Sequence, residues 1–145
     1  MDNVLVDFRS GIARLSKSDI IRYEGEFDEV PGIFSMMEPM PGAIKAYHSL
    51  SRIFDTYILS TAPWNNATAW ADKNLWVRKY LGVIAHKRLI LSHHKNLLSG
   101  DYLIDDRTAN GAAEFTGELI QFATDQYPDW NRVEDYLTNK RLIEI

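Results

Sequence analysis

Three short apolar segments of this 145-residue sequence each run out into residues that can handle phosphate. Tyr57-Ile58-Leu59 ends in the hydroxyls of Ser60 and Thr61, Leu89-Ile90-Leu91 is followed by Ser92 and then Lys95, and Tyr102-Leu103-Ile104 ends in the carboxylates of Asp105 and Asp106. Hydroxyls and an ammonium donate to phosphoryl oxygens, and paired carboxylates hold a hard cation such as Mg²⁺ through oxygen. Gathered on one edge, these groups would suit a phosphate monoester together with Mg²⁺. Singly, each has a plainer reading: Ser60-Thr61 as a turn, Lys95 as a solvated loop residue, Asp105-Asp106 as a helix N-cap. Their shared position after apolar segments is what joins them.

The elements that must position them alternate as in α/β folds. Thr56 to Ser60 is β-rich and stops before Pro63, which cannot continue a ladder. From Asn66 to Leu81 the residues Ala69, Trp70, Trp76, Val77, Tyr80 and Leu81 recur at helical spacing, with Gly82 in a C-cap position. Arg88 to Ser92, Tyr102 to Asp106 and Leu119 to Ala123 read as three more strands, and Trp130 to Leu137 as a last helix. The stretch from residue 55 onward is thus expected to form a parallel sheet with covering helices, whose ligands bind beyond the carboxyl ends of the strands. The first third differs. Residues 9–38 combine a helical stretch, an acidic turn from Glu24 to Glu29 and the segment Pro31 to Met37, and a helix from Pro41 to Phe54 follows. Periodicity alone leaves 9–38 open as a small helical insert over the active edge or as one more helical layer.

Composition narrows the classes. With 46% hydrophobic, 12% aromatic and 25% charged residues, a single packed domain over 1–145 is expected. The net charge of −4, without a long Lys/Arg run, argues against a nucleic-acid polymer or an anionic membrane as partner, while leaving room for a small phosphorylated metabolite. The absence of Cys excludes disulfides and thiolate metal sites. The apolar runs are too short to span a bilayer and no leader is recognisable, so a cytoplasmic protein is expected.

The order of these motifs resembles the haloacid dehalogenase (HAD) superfamily of phosphohydrolases, and within it the 5′(3′)-deoxyribonucleotidases. Asp2-Asn3-Val4-Leu5-Val6-Asp7-Phe8 is similar to the end of the first motif, an Asp-x-Asp whose second Asp is Asp2. Ile58-Leu59-Ser60-Thr61 resembles the second motif, His94-Lys95 the third and Leu103-Ile104-Asp105-Asp106 the fourth, and Glu38 to Ala43 resembles the subgroup's return from its insert. The resemblance implies a three-layer Rossmann-like core with a parallel sheet, a small helical cap insert at about 9–38, and a first central strand that is truncated here. Gly100-Asp101 also fits a fourth-motif pattern, but at the wrong end of its strand.

The resemblance also implies roles. The first Asp of the motif attacks phosphorus and forms an aspartyl-phosphate; it would fall ahead of Met1, so the chain as given is expected to be impaired or inactive. Asp2 would be the acid/base, Ser60 would hold the phosphoryl group, and Lys95 would neutralise charge. Mg²⁺ would be held by Asp106, by Asp105 directly or through water, and by the Asp2 backbone carbonyl. Thr61 and Lys73 would meet the phosphate, while Phe8 and Phe34, with Ile33, would pack a pyrimidine base or simply fill the core. Trp64 would line the mouth of the site, and His93 stands where the subgroup often has Arg. The expected activity is hydrolysis of a deoxyribonucleoside monophosphate. A non-catalytic nucleotide-binding module and a phosphatase for another small phosphomonoester are the alternatives, and a homodimer is compatible with all three.

Overall fold

The computed structural model describes residues 1–143. Its elements in chain order are β1 (Val6–Asp7), α1 (Phe8–Ile12), α2 (Lys17–Arg22), β2 (Glu38–Pro39), α3 (Ala43–Leu50), β3 (Ile58–Ser60), α4 (Ala69–Tyr80), β4 (Leu89–Leu91), β5 (Tyr102–Asp105), β6 (Glu118–Gln121) and α5 (Trp130–Ile143). Local chemistry accounts for several boundaries. The Asp7 carboxylate caps α1 by accepting from the Arg9 amide at 3.0 Å, and the Ser16 hydroxyl caps α2 by accepting from the Asp19 amide at 3.1 Å. Gly82, at φ 58°, takes the left-handed turn that ends α4, and Ala123 turns the chain at φ 62°, so the last strand stops at Gln121 and not at Ala123.

The segment between α1 and β2 is a small helical module built from α1, α2 and two 3₁₀ turns, Phe27–Glu29 and Ile33–Ser35. The antiparallel pair β1–β2 closes its base, with Val6 opposite Pro39 and Asp7 opposite Glu38. Buried Asn66 holds it from the other side, donating to the carbonyls of Asp28 at 2.8 Å and Val30 at 3.0 Å. The Trp76 indole donates to the Met37 carbonyl at 2.9 Å, fixing α4 beneath the module.

The expected parallel sheet is present as two separate pairs. In β3–β4, Ile58, Leu59 and Ser60 lie opposite Leu89, Ile90 and Leu91; in β5–β6, Tyr102 to Asp105 lie opposite Glu118 to Gln121, and both pairs are parallel. Between the facing edges of β3 and β5 lies a cavity of about 550 Å³, lined by Ile58, Leu59, Leu103 and Ile104, and closed at one end by Met1 and Leu5. The mixed α/β architecture therefore matches a Rossmann-like core, but with a slot where sheet continuity was expected. Residues 1–5 do not fill it because they coil tightly: the Met1 carbonyl accepts from the amides of Val4, Leu5 and Val6, and Asn3 sits at φ 55°. The Trp130 indole clamps this coil by donating to the Val4 carbonyl at 2.7 Å. Among the described residues no helix is long and apolar enough to cross a membrane.

Candidate active site

Lys73 is the centre of the site. It projects from α4 with its side chain fully buried, and its ammonium donates to both carboxylate oxygens of Asp2, at 2.7 and 2.6 Å, and to the Ser60 hydroxyl at 3.1 Å. The same ammonium stands 4.2 Å from the centroid of the Phe34 ring. Burial pulls its pKa below the ordinary lysine range, and the Asp2 carboxylate opposes that shift. A second buried pair lies alongside: Lys95, on the 3₁₀ turn after β4, binds the carboxylate of Asp105 at the end of β5. For Asp105, burial acts to raise the pKa, yet the hydrogen bond and charge of Lys95 prevail and hold it below the usual carboxylate range.

Asp106 is in a different position. Burial pushes its pKa up, its partner is the Asn3 side-chain amide at 3.3 Å, and the mostly exposed Arg107 guanidinium is 4.0 Å away. The α-ammonium of Met1 shares this environment and is lowered to about 6, chiefly by burial, in the field of Asp2, Lys73, Asp105 and Lys95. Three carboxylates and three amines thus meet at the carboxyl ends of β3 and β5. In the free protein Asp2 neutralises Lys73 and Asp105 neutralises Lys95, and a phosphate dianion could displace these two carboxylates from the ammoniums.

Of the residues singled out in the sequence, Asp2, Ser60 and Lys73 are joined directly, and Lys95 and Asp105 form the neighbouring pair beside Asp106. Thr61 faces elsewhere: its hydroxyl donates to the Ser92 carbonyl at 2.8 Å, locking the loop after β3 to the loop after β4. Phe8 packs against Phe34 at 6.1 Å between centroids, and Phe34 is only 2% exposed, so its ring serves the core and the Lys73 ammonium. Asn3 was not anticipated, although its place directly after Asp2 was the available signal. Among the described residues no group of three or more His, Cys, Asp or Glu side chains is arranged to hold a metal ion.

The family described as 5′ nucleotidase, deoxy (Pyrimidine), cytosolic type C protein matches residues 15–143. The chain belongs to this family of 5′-nucleotidases. Three relatives of this nucleotidase bear the name "Putative 5′(3′)-deoxyribonucleotidase". A protein of Vibrio phage KVP40 is 62% identical over 140 residues, which is 97% of this chain and 82% of that relative. A Bordetella bronchiseptica protein is 42% identical over 85 residues, 57% of this chain and 46% of its own length. A Staphylococcus aureus protein is 29% identical over 132 residues, 83% of this chain and 72% of the relative. The matched segment includes Ser60, Lys73, Lys95, Asp105 and Asp106.

Proposed function

We infer that this nucleotidase is a cytoplasmic 5′(3′)-deoxyribonucleotidase that hydrolyses pyrimidine deoxyribonucleoside monophosphates with the help of Mg²⁺. The observation that carries the reading is the buried Lys73 ammonium joining Asp2 to Ser60 at the end of β3. Two ammoniums and a hydroxyl form a cradle for a phosphoryl group, and the fixed donors cost no reorganisation when charge develops. When substrate phosphate draws Lys73 toward itself, Asp2 is released from its ion pair, takes up a proton from solvent and gives it to the departing sugar oxygen.

The donor set fits Mg²⁺ in kind. Asp105 and Asp106 offer adjacent oxygen ligands, and Asp106 is half-buried against the Asp105 carboxylate, with a neutral amide and a distant guanidinium as its other neighbours, a charge that a hard cation would relieve. When bound, Mg²⁺ would supply electrostatic stabilisation of the phosphoryl oxygens. The slot between β3 and β5 supports a route for the attacking carboxylate. The slot is lined by apolar side chains of β3 and β5, among them Ile58, Leu59, Leu103 and Ile104, whose burial an added strand would complete. A strand ending in Asp two positions ahead of Asp2 would fill the slot and bring that carboxylate to the phosphoryl group. Its oxygen would bond to phosphorus as the P–O bond to the leaving group breaks, and water would then hydrolyse the acyl phosphate.

The test is phosphate release from thymidine 5′-monophosphate with Mg²⁺, using the 145-residue chain and the same chain preceded by such a strand. Release by the extended form that is lost on Asp2→Asn supports the reading; equal release by both forms, accompanied by phosphorylation of Asp2, overturns the assigned roles.

A further inference from the structure

A second hollow borders the amino end of β4, whereas Lys95 and the phosphate cradle lie beyond its carboxyl end. Its volume is about 640 Å³. One wall is a face of α4, with Asn74, Val77 and Arg78, and the other is the segment from Gly82 to Leu89 that leads into β4. Part of the lining is apolar: Val77 and Ala85 are buried, and Val83 is 91% exposed. The rest is basic or amide, comprising Asn74, Arg78, His86 and Lys87.

The charge of this lining is one-sided. No carboxylate contributes to it, and among the described residues neither Arg78 nor Lys87 has an ion-pair partner. The side chains of Asn74 and His86 are likewise without hydrogen-bond partners among the described residues. In a chain of net charge −4, basic groups that share a hollow with no acid repel one another, and an anion would relieve that repulsion. The backbone points the same way. Lys87 is held at φ 59°, a left-handed conformation that glycine adopts without strain, so an ammonium is kept at a position where a side chain is disfavoured.

We propose that this hollow is a second anion site, separate from the phosphate cradle, whose occupant is a nucleoside triphosphate. The Arg78 guanidinium presents a planar fork to phosphate oxygens, and the Lys87 ammonium meets the phosphate chain from the opposite wall. A chain of three phosphates carries enough charge and length to engage both walls, which a monophosphate does not. Asn74 and His86 add neutral donors, and the exposed Val83 gives the base an apolar surface to lie on. The volume falls in the range of about 300–1,000 Å³ usual for small-molecule sites. With no carboxylate in the lining to serve as nucleophile or acid/base, the triphosphate is bound there and not cleaved.

The experiment is calorimetric titration of the whole chain, without added metal, with thymidine 5′-triphosphate and with inorganic triphosphate. The wild type is compared with Arg78→Gln/Lys87→Asn and with the cradle variant Asp2→Ala/Lys73→Met. Gln is a good helix former and Asn tolerates the left-handed turn, so the first variant should keep the wild-type thermal midpoint. Loss of two charge-assisted contacts predicts that its affinity for the nucleotide falls at least about tenfold. The cradle variant should bind the nucleotide within about twofold of the wild type, and inorganic triphosphate should bind the wild type more weakly than the nucleotide does. Unchanged affinity in Arg78→Gln/Lys87→Asn, or loss confined to the cradle variant, overturns the second site. Inorganic triphosphate binding as tightly as the nucleotide overturns the nucleoside triphosphate as occupant, and a wild type that binds neither overturns the proposal entirely. Monophosphate hydrolysis at the other end of β4 is measured separately, so these outcomes leave the nucleotidase reading standing.

Discussion

Replacing Asp2 by Ala strands the Lys73 ammonium in the interior, because the carboxylate is its only charged hydrogen-bond partner and the lysine side chain is fully buried. Removing one member of a buried pair typically costs ~3–5 kcal/mol. Asp2 retains 20% exposure, which places the expected loss near the lower end, about 3 kcal/mol, or a fall of about 10 °C in midpoint for a domain of this size. The double variant Asp2→Ala/Lys73→Met removes both charges and sets an apolar chain of similar length against Phe34, so it should recover to within ~1 kcal/mol of the wild type. Urea denaturation followed by circular dichroism at pH 7 measures both. The pH dependence has a definite sign. Folded Lys73 has a lowered pKa, so near and above that value the unfolded chain binds more protons and stability rises with pH. Loss of Asp2 removes an influence that raises this pKa, widening the window and steepening the rise between pH 7 and about 10. A loss under ~1 kcal/mol in Asp2→Ala, or a double variant no more stable than the single one, would refute the buried-pair reasoning.

Lys95→Ala should destabilise at pH 7, and the deficit should shrink as acid protonates Asp105: a carboxylate held below its ordinary pKa stabilises the fold above that range and loses the contribution as pH falls through its folded value. Acid titrations of the two proteins followed by circular dichroism should therefore converge as the pH falls through the folded value of Asp105, below the ordinary carboxylate range. Trp130→Phe removes the indole donor to the Val4 carbonyl and should cost ~1–3 kcal/mol, with faster amide exchange in residues 4–6 than elsewhere. Adding an apolar strand ahead of Met1 should raise the thermal midpoint and reduce binding of a hydrophobic dye, since both depend on the slot between β3 and β5; an unchanged midpoint and unchanged dye binding would count against the slot as a strand site.

The ends of the strands were legible because short apolar segments bounded by polar residues carry their own signal. Ser60 and Asp105 fall at the carboxyl ends of observed strands, and Lys95 on the turn that follows one. The helix from Ala69 to Tyr80 and its glycine stop were likewise local. Distances between segments were not. Nothing in the spacing of Lys73 requires it to be fully buried on both oxygens of Asp2, 71 positions away, and nothing in Thr61 reveals that its hydroxyl turns to a backbone carbonyl. The division of the expected sheet into two parallel pairs was also hidden, because an apolar strand reads alike whether its neighbour is another strand or a cavity. Exposure of Trp64 and its edge-on contact with His93 emerged only once the loops after β3 and β4 were brought together.

The most direct test is phosphate release from thymidine 5′-monophosphate in the presence of Mg²⁺ by the chain carrying about five apolar residues and an Asp ahead of Met1. The account predicts turnover that falls by about 10²-fold or more in Asp2→Asn. Undiminished turnover in Asp2→Asn would contradict it.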